Sequence, residues 1–198
     1  DVHAICADQS NETQINNLIQ KIKTEYKTPN ILVNSGVARP MKDYMEDDSN
    51  NWMESMRING LGLFLTCRAF AKAMSKNGGS IINISSIYGI ISPDKSIYKG
   101  TKMGTEPDYP YNKGGMIMFS KYLASYFADK NVRVNCVAPG GLYNNQEESF
   151  LTSYIKKVPM KRMANQQDLK GIVVFLASKS SKYITGTVIP VDGGITVI

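Results

Sequence analysis

A chain of 198 residues, 42% apolar and 20% charged, has the size and balance of one globular domain with one substantial core. Its formal charge of +6 comes from lysines scattered along the chain with no run of basic residues, so the composition excludes a dedicated nucleic-acid binder. The longest mainly apolar run, 61–74, is broken by Thr66, Arg68 and Lys72 and falls short of the roughly 20 residues that cross a bilayer. A single soluble domain over 1–198, without a membrane or nucleic-acid partner, is the expectation. The cysteines, Cys6, Cys67 and Cys136, lie far apart in apolar surroundings, which predicts buried, reduced thiols in a cytoplasmic protein and no metal site. His3 is the only histidine and sits in a strand-like run.

"VHAIC" (2–6) is a strand candidate, followed by "ADQSNETQ", where Ser10 is a candidate helix cap. Ile15, Leu18, Ile19 and Ile22 then recur at helical spacing. "NILVNS" (30–35) is a compact β-rich run that ends in a loop containing Gly36 and Pro40. From Ser49, a second candidate cap, apolar residues from Trp52 to Phe70 fall on most faces of one long helix, which predicts burial on more than one side. "GGSIINIS" (78–85) reads as a strand, Tyr109 to Ala128 as a helix and "VRVNCVAP" (132–139) as a strand. A further helix runs near Asp168 to Ala177, and "GTVIPVDGG" (186–194) closes the series as a strand. Strands alternating with amphipathic helices predict an α/β fold: a Rossmann-like doubly wound parallel sheet in three αβα layers. In such a sheet ligands bind beyond the carboxyl ends of the strands, so chemistry is expected in the loops after Ser35, Ser86 and Pro139.

Tyr109 and Lys113 are four residues apart, one above the other on a helix face. A phenol of ordinary pKa near 10 exchanges protons poorly at neutral pH, and a neighbouring ammonium favours its ionised form, which is the tuning a general acid/base requires. Tyr98 and Lys102 repeat the spacing, but Gly100, Gly104 and Pro107 argue against a continuous helix through them. The spacing alone is equally compatible with two surface residues of a solvated helix.

With its neighbours, the pattern resembles the short-chain dehydrogenases/reductases along essentially the whole chain. "ADQS" with Asp8 is similar to the acidic position that contacts adenine, and "ILVNSGVA" to the Asn-rich turn after a strand. "RINGLGLF" places Asn59 at the family's structural and catalytic asparagine. "GSIINISS" ends on the strand bearing the catalytic serine, "YPYNKGG" matches the Tyr-x-x-x-Lys helix, "VRVNCVAPGG" the loop beside the nicotinamide and "PVDGG" the last strand. The resemblance implies NAD or NADP as cofactor and hydride transfer to or from a small-molecule carbonyl or alcohol. Tyr109 would be the proton donor, Lys113 its electrostatic partner and a ribose ligand, Ser86 the group that holds the substrate oxygen, and Asn59 the support of a water relay to Lys113. Cofactor contacts are implied at Asp8, Asn34, Ser35, Gly36, Tyr109, Lys113, Pro139, Gly140, Leu142 and Asn144, and assembly as a homodimer or homotetramer through the two long helices.

The chain departs from the family pattern in several places. "NSGVA" is one residue short or has its glycine shifted, and Asn144 stands where a threonine is common. The stretch from Ile87 to Asp108 is longer than usual and is expected to line the substrate pocket. That insertion resembles family members of bacterial surface-glycan and flagellin modification, which implies a sugar-derived substrate. The family's Gly-x-x-x-Gly-x-Gly turn has no counterpart in the sequence, so the chain is expected to be N-terminally truncated, lacking the first βαβ unit, and as given to bind the cofactor weakly or not at all, to be inactive and to be poorly stable. The competing readings are a sugar-nucleotide epimerase or dehydratase among the extended relatives, and a non-catalytic scaffold that keeps the fold without turnover.

Overall fold

The computed structural model describes residues 2–198. Helix α1, Glu12–Glu25, starts one residue later than expected: Asn11 is its cap and accepts from the Gln14 N–H (3.1 Å). Ser10 is occupied instead with Asp8, donating its N–H and hydroxyl to Oδ1 (2.9 and 2.6 Å). Ile15 and Ile19 form the buried stripe of α1.

Strand β1, Ile31–Asn34, is followed by α2, Ser49–Ser55, whose cap is Asp48 rather than Ser49. The expected single long helix is interrupted: Met56–Leu61 form a π-helical turn, closed by the Gly62 N–H on the Arg57 carbonyl, before α3 continues over Gly62–Met74. The extra residue in that turn puts the apolar faces of α2 and α3 out of phase, which explains why the sequence reads as apolar all round. Strand β2 is Gly79–Ile84, helix α4 Asp108–Tyr126 and strand β3 Val132–Pro139. Helix α5, Glu148–Lys157, was not anticipated from the sequence; α6 is Gln166–Ala177 and strand β4 Val188–Val191.

The sheet is parallel throughout, in the order β1-β2-β3-β4, and its register aligns Asn34, Asn83, Cys136 and Val188 in one row. Alternation along the strands divides the core between two faces. Ile81, Val134 and Cys136 pack with Ile19, Phe70, Met74 and Ile117 beneath α1, α3 and α4, whereas Ile82 and Val137 pack with Leu176 beneath α6. This is the three-layer αβα arrangement read from the sequence. A third cluster joins α5 (Phe150, Tyr154) to Ile97 of the inserted segment and to Met163.

Two expectations are corrected. "VHAIC" forms no strand: among the described residues no strand pairs with it, and most of the segment is exposed, which leaves its backbone to solvent. Cys6, on that segment, is exposed, whereas Cys67 and Cys136 are buried as expected. No described helix is long and apolar enough to cross a membrane.

The first three residues of the aligned row make a polar seam inside the sheet. Asn34 donates to Asn83 Oδ1 (2.8 Å), Asn83 donates to Ser120 Oγ of α4 (2.7 Å), and the Cys136 thiol donates to the same Ser120 oxygen (3.1 Å). Because Asn83 is fully buried, Asn83→Ala takes from the Asn34 amide its oxygen acceptor, leaving only the weaker Cys67 sulfur, and removes a donor from Ser120. The expected loss is about 2 kcal/mol or more in urea unfolding, with the m-value unchanged.

Candidate functional site

The carboxyl ends of β2 and β3 face the first two turns of α4, and the contact between them is unusually close. The Lys113 ammonium donates to the Ile84 carbonyl (2.8 Å), while the Ser85 hydroxyl donates back to the Lys113 carbonyl (2.8 Å). Gly89, in the short turn after Ser86, comes so near α4 that a Cβ there would lie 2.7 Å from the Lys113 carbonyl carbon and oxygen. Only glycine permits this approach.

That packing buries Lys113 to 4% exposure without a carboxylate partner among the described residues. Burial pushes its ammonium pKa down to about 8. Tyr109 lies one turn earlier on the same face, and the Lys113 ammonium is 5.7 Å from its ring centroid. The Tyr109 hydroxyl has no hydrogen-bond partner among the described residues. Ser86 accepts the Tyr88 N–H (3.1 Å), and its own hydroxyl proton is likewise without a protein acceptor. Tyr109, Lys113 and Ser86 all line one cavity of about 350 Å³, together with Ser35, Pro139, Gly140 and Leu142.

Asn59 sits in the π-helical turn. Its Nδ2 donates to the Ala38 carbonyl (2.8 Å) and to Ser55 Oγ (3.1 Å), and its Oδ1 accepts the Ala38 N–H (2.9 Å). The amide is thus committed to fixing the loop after β1. Ser55 in turn donates to the fully buried carboxylate of Asp108 (2.6 Å) and accepts from Asn112 (3.1 Å), both on α4. A chain of hydrogen bonds therefore ties Asn59 to the first turn of α4, which starts with Asp108 and carries Tyr109. A crevice of about 10 Å³, the size of roughly one water position, separates Asn34, Gly36 and Asn59 from Tyr109 and Lys113.

Two expected cofactor contacts are not brought to these cavities. The Asp8 carboxylate is held by Ser10 and by Arg57 (3.3 Å) in a turn ahead of α1. Asn144 is exposed, and its N–H donates to Gln146 Oε1 (2.7 Å), so Gln146 rather than Asn144 lines the main cavity. Asn34 reaches the crevice, but its amide is spent on Asn83 and Cys67.

The inserted segment lines the main cavity, as expected. Tyr98 bonds Tyr88 (2.9 Å) and Thr105 (2.8 Å) through its hydroxyl, and the chain leaves helical geometry after Tyr98, so the Tyr98/Lys102 copy does not form the one-face pair that Tyr109 and Lys113 do. Burial and the bond to Tyr98 push the Tyr88 hydroxyl upward from its ordinary pKa. Arg39, which the sequence gave no reason to single out, lies with its guanidinium carbon 4.6 Å over the Tyr109 ring. Its only sequence signal is its position just beyond the turn that follows β1. Asp108 and Ser55 were equally silent, an acid before a tyrosine and a serine in a helix.

The sequence pattern of the family described as enoyl-(acyl carrier protein) reductase matches residues 1–196. The chain belongs to the short-chain dehydrogenase/reductase family. It is 36% identical over 152 residues to the post-translational flagellin modification protein A of Campylobacter coli, a match covering 76% of this chain and 59% of that protein. It is 33% identical over 194 residues to the 3-oxoacyl-[acyl-carrier-protein] reductase FabG of Chlamydia trachomatis, covering 95% and 74%. A short-chain dehydrogenase of Leptospira borgpetersenii, crystallised with NAD+, superposes with a TM-score of 0.90 at 36% identity, covering 97% of this chain and 74% of that one. A gluconate 5-dehydrogenase of Burkholderia cenocepacia, in complex with NADP and tartrate, superposes with a TM-score of 0.86 at 25% identity, covering 96% and 74%.

The depressed ammonium pKa makes a thermodynamic prediction. Between about pH 8 and the ordinary lysine value of 10.5, the unfolded chain holds a proton at Lys113 that the folded chain has released. Stability at this site therefore rises with pH through that window, and below it the full cost of burying the charge applies. The stability difference between Lys113→Met and the unaltered protein should shrink as pH rises from 8 to 10.5, read by urea unfolding at several pH values.

Proposed function

We propose that the protein is an NAD(P)-dependent oxidoreductase of the cytoplasm that interconverts a carbonyl and an alcohol on a polar, sugar-derived small molecule. The observation that carries this reading is the meeting, in one cavity at the carboxyl ends of β2 and β3, of two hydroxyls whose protons have no acceptor among the described residues and a buried ammonium. A buried, unpaired cation is costly, and a scaffold would gain from replacing it with an apolar residue. The residues present fit the nicotinamide end of the cofactor: Lys113 has ammonium donors beyond the one given to Ile84, and the loop Pro139–Leu142 lines the same space. When bound, the cofactor supplies or accepts the hydride.

The chain's own groups manage the oxygen. In reduction, the Ser86 hydroxyl donates to the substrate carbonyl oxygen and fixes its position. Tyr109 passes its phenolic proton to that oxygen as negative charge develops there, and the nearby Lys113 ammonium stabilises the phenolate left behind. Oxidation reverses these transfers. Asn59, Ser55 and Asp108 hold the loop after β1 and the start of α4 in register, so the proton donor stays aligned. The sugar-derived class draws support from the hydroxyl-rich inserted segment and from the names of the flagellin-modifying and gluconate-oxidising relatives.

Replacing Tyr109 with Phe in the full-length protein should lower turnover of a carbonyl and polyol panel by about 10²-fold or more while leaving NAD(P)H binding within a factor of about two. Equal turnover, or a larger loss from Tyr98→Phe, would overturn the assignment. A homodimer or homotetramer is proposed through the exposed apolar residues of α3 and α4, among them Phe64, Tyr111, Met118 and Tyr122. Charged replacements at Met118 and Tyr122 should convert the assembly to monomers in sedimentation analysis.

A further inference from the structure

We propose that Arg39 is an anion-binding arm of the substrate cavity, and that the substrate is a hydroxylated small molecule carrying a carboxylate or phosphate. The inference rests on the oxidoreductase reading and specifies the substrate class of that same site. The guanidinium stacks on the Tyr109 ring, the side chain whose hydroxyl meets the reacting oxygen, so an anion held there belongs to the same small molecule as the reacting carbon. One amino group of Arg39, Nη2, is anchored on the inserted segment, donating to the Gly104 carbonyl (3.1 Å) and Thr105 Oγ1 (3.4 Å). Nε and Nη1 have no acceptor among the described residues, and no described carboxylate lies within ion-pair distance.

An arginine so placed is a preformed fork. Its plane is fixed by the aromatic ring beneath it and by its anchor, and two directions of N–H remain for the paired oxygens of a carboxylate or phosphate. The charge inventory of the cavity points the same way: its wall holds Arg39 and Lys113 and contains no Asp or Glu. Glu106 lies on the other side of the inserted segment, in an outer cavity that also has Lys95 and Lys99. The hydroxyls of Tyr88, Tyr98 and Thr105, linked at 2.9 and 2.8 Å, offer hydrogen-bonding capacity to a substrate chain rich in hydroxyls. At about 350 Å³ the inner cavity suits a small ligand.

The test uses the full-length protein with saturating NAD(P)+ and three probes: D-glucitol, which is neutral, D-gluconate, which has a carboxylate, and glucitol 6-phosphate, which has a phosphate. Dissociation constants are read by calorimetry and turnover by nicotinamide absorbance. At least one anion should bind about tenfold or more tightly than glucitol, and which one does so distinguishes carboxylate from phosphate. Arg39→Met should erase that advantage while leaving glucitol affinity within a factor of about two, and Arg39→Lys should retain part of it. Thr105→Val removes an anchor and keeps the charge, so it should preserve the preference. If neither anion surpasses glucitol, if Arg39→Met keeps the advantage, or if Thr105→Val loses as much as Arg39→Met, the arginine is a loop staple and the proposal fails. An anion preference that depends on Arg39 without turnover of any probe would support the binding arm and count against the oxidoreductase reading. Turnover without anion preference would do the reverse.

Discussion

The close seating of α4 on the end of β2 is the constraint on which the rest of the site depends. Two reciprocal hydrogen bonds, from the Lys113 ammonium to Ile84 and from Ser85 to the Lys113 carbonyl, join one residue of the helix to consecutive residues at the strand end. The absence of a side chain at Gly89 lets the backbones meet. Once that contact is made, Ser86 follows Ser85 into the cavity, Tyr109 stands one helical turn from Lys113, and the ammonium is withdrawn from bulk water whether or not it gains a counter-charge. The energetic cost of the buried cation and the geometry of the hydroxyls have one origin.

Around this fixed contact lie parts that differ in rigidity of attachment. The loop after β1 is pinned through Asn59, Ser55 and Asp108, all buried. The inserted segment is attached through the apolar cluster of Ile97 with α5 and through side-chain hydroxyls and Arg39. The side of the cavity that carries Tyr109, Lys113 and Ser86 is thus built on sheet and helix, and the opposite wall is built from loops, a division that would let specificity change without disturbing the proposed chemistry.

Much of this was legible in the sequence because it depends on local patterning. The alternation of strands and helices, the near-continuous burial of "GSIINI" and "VRVNCVAP", and the one-face spacing of Tyr109 and Lys113 are properties of neighbouring residues. What escaped depends on partners remote in sequence. "VHAIC" has strand composition, yet composition supplies no ladder. Helix α5 was missed because its apolar pair, Phe150 and Tyr154, is too short a pattern to stand out until Ile97 covers it. Ser10 and Ser49 are good caps by type, but Asn11 and Asp48 won through the register of the turns that precede the helices. Arg39 gained its place only when the chain brought Gly104 and Tyr109 to it across the fold.

The π-helical turn between α2 and α3 makes the number of residues in this stretch matter more than their identity. A regular helix would satisfy its own backbone ladder, whereas the widened turn leaves the Ile58 carbonyl to the side chain of Gln9 (2.9 Å), from a loop far away in sequence. Removing one residue to either side of Asn59 within 56–61 would let the helix close its own ladder and would turn Asn59 by about 100° relative to one of its two flanking helices. Conformational ease and site geometry therefore oppose one another within these six residues. Over evolutionary change, such a segment can exchange its exposed side chains while Asn59 and the length stay locked.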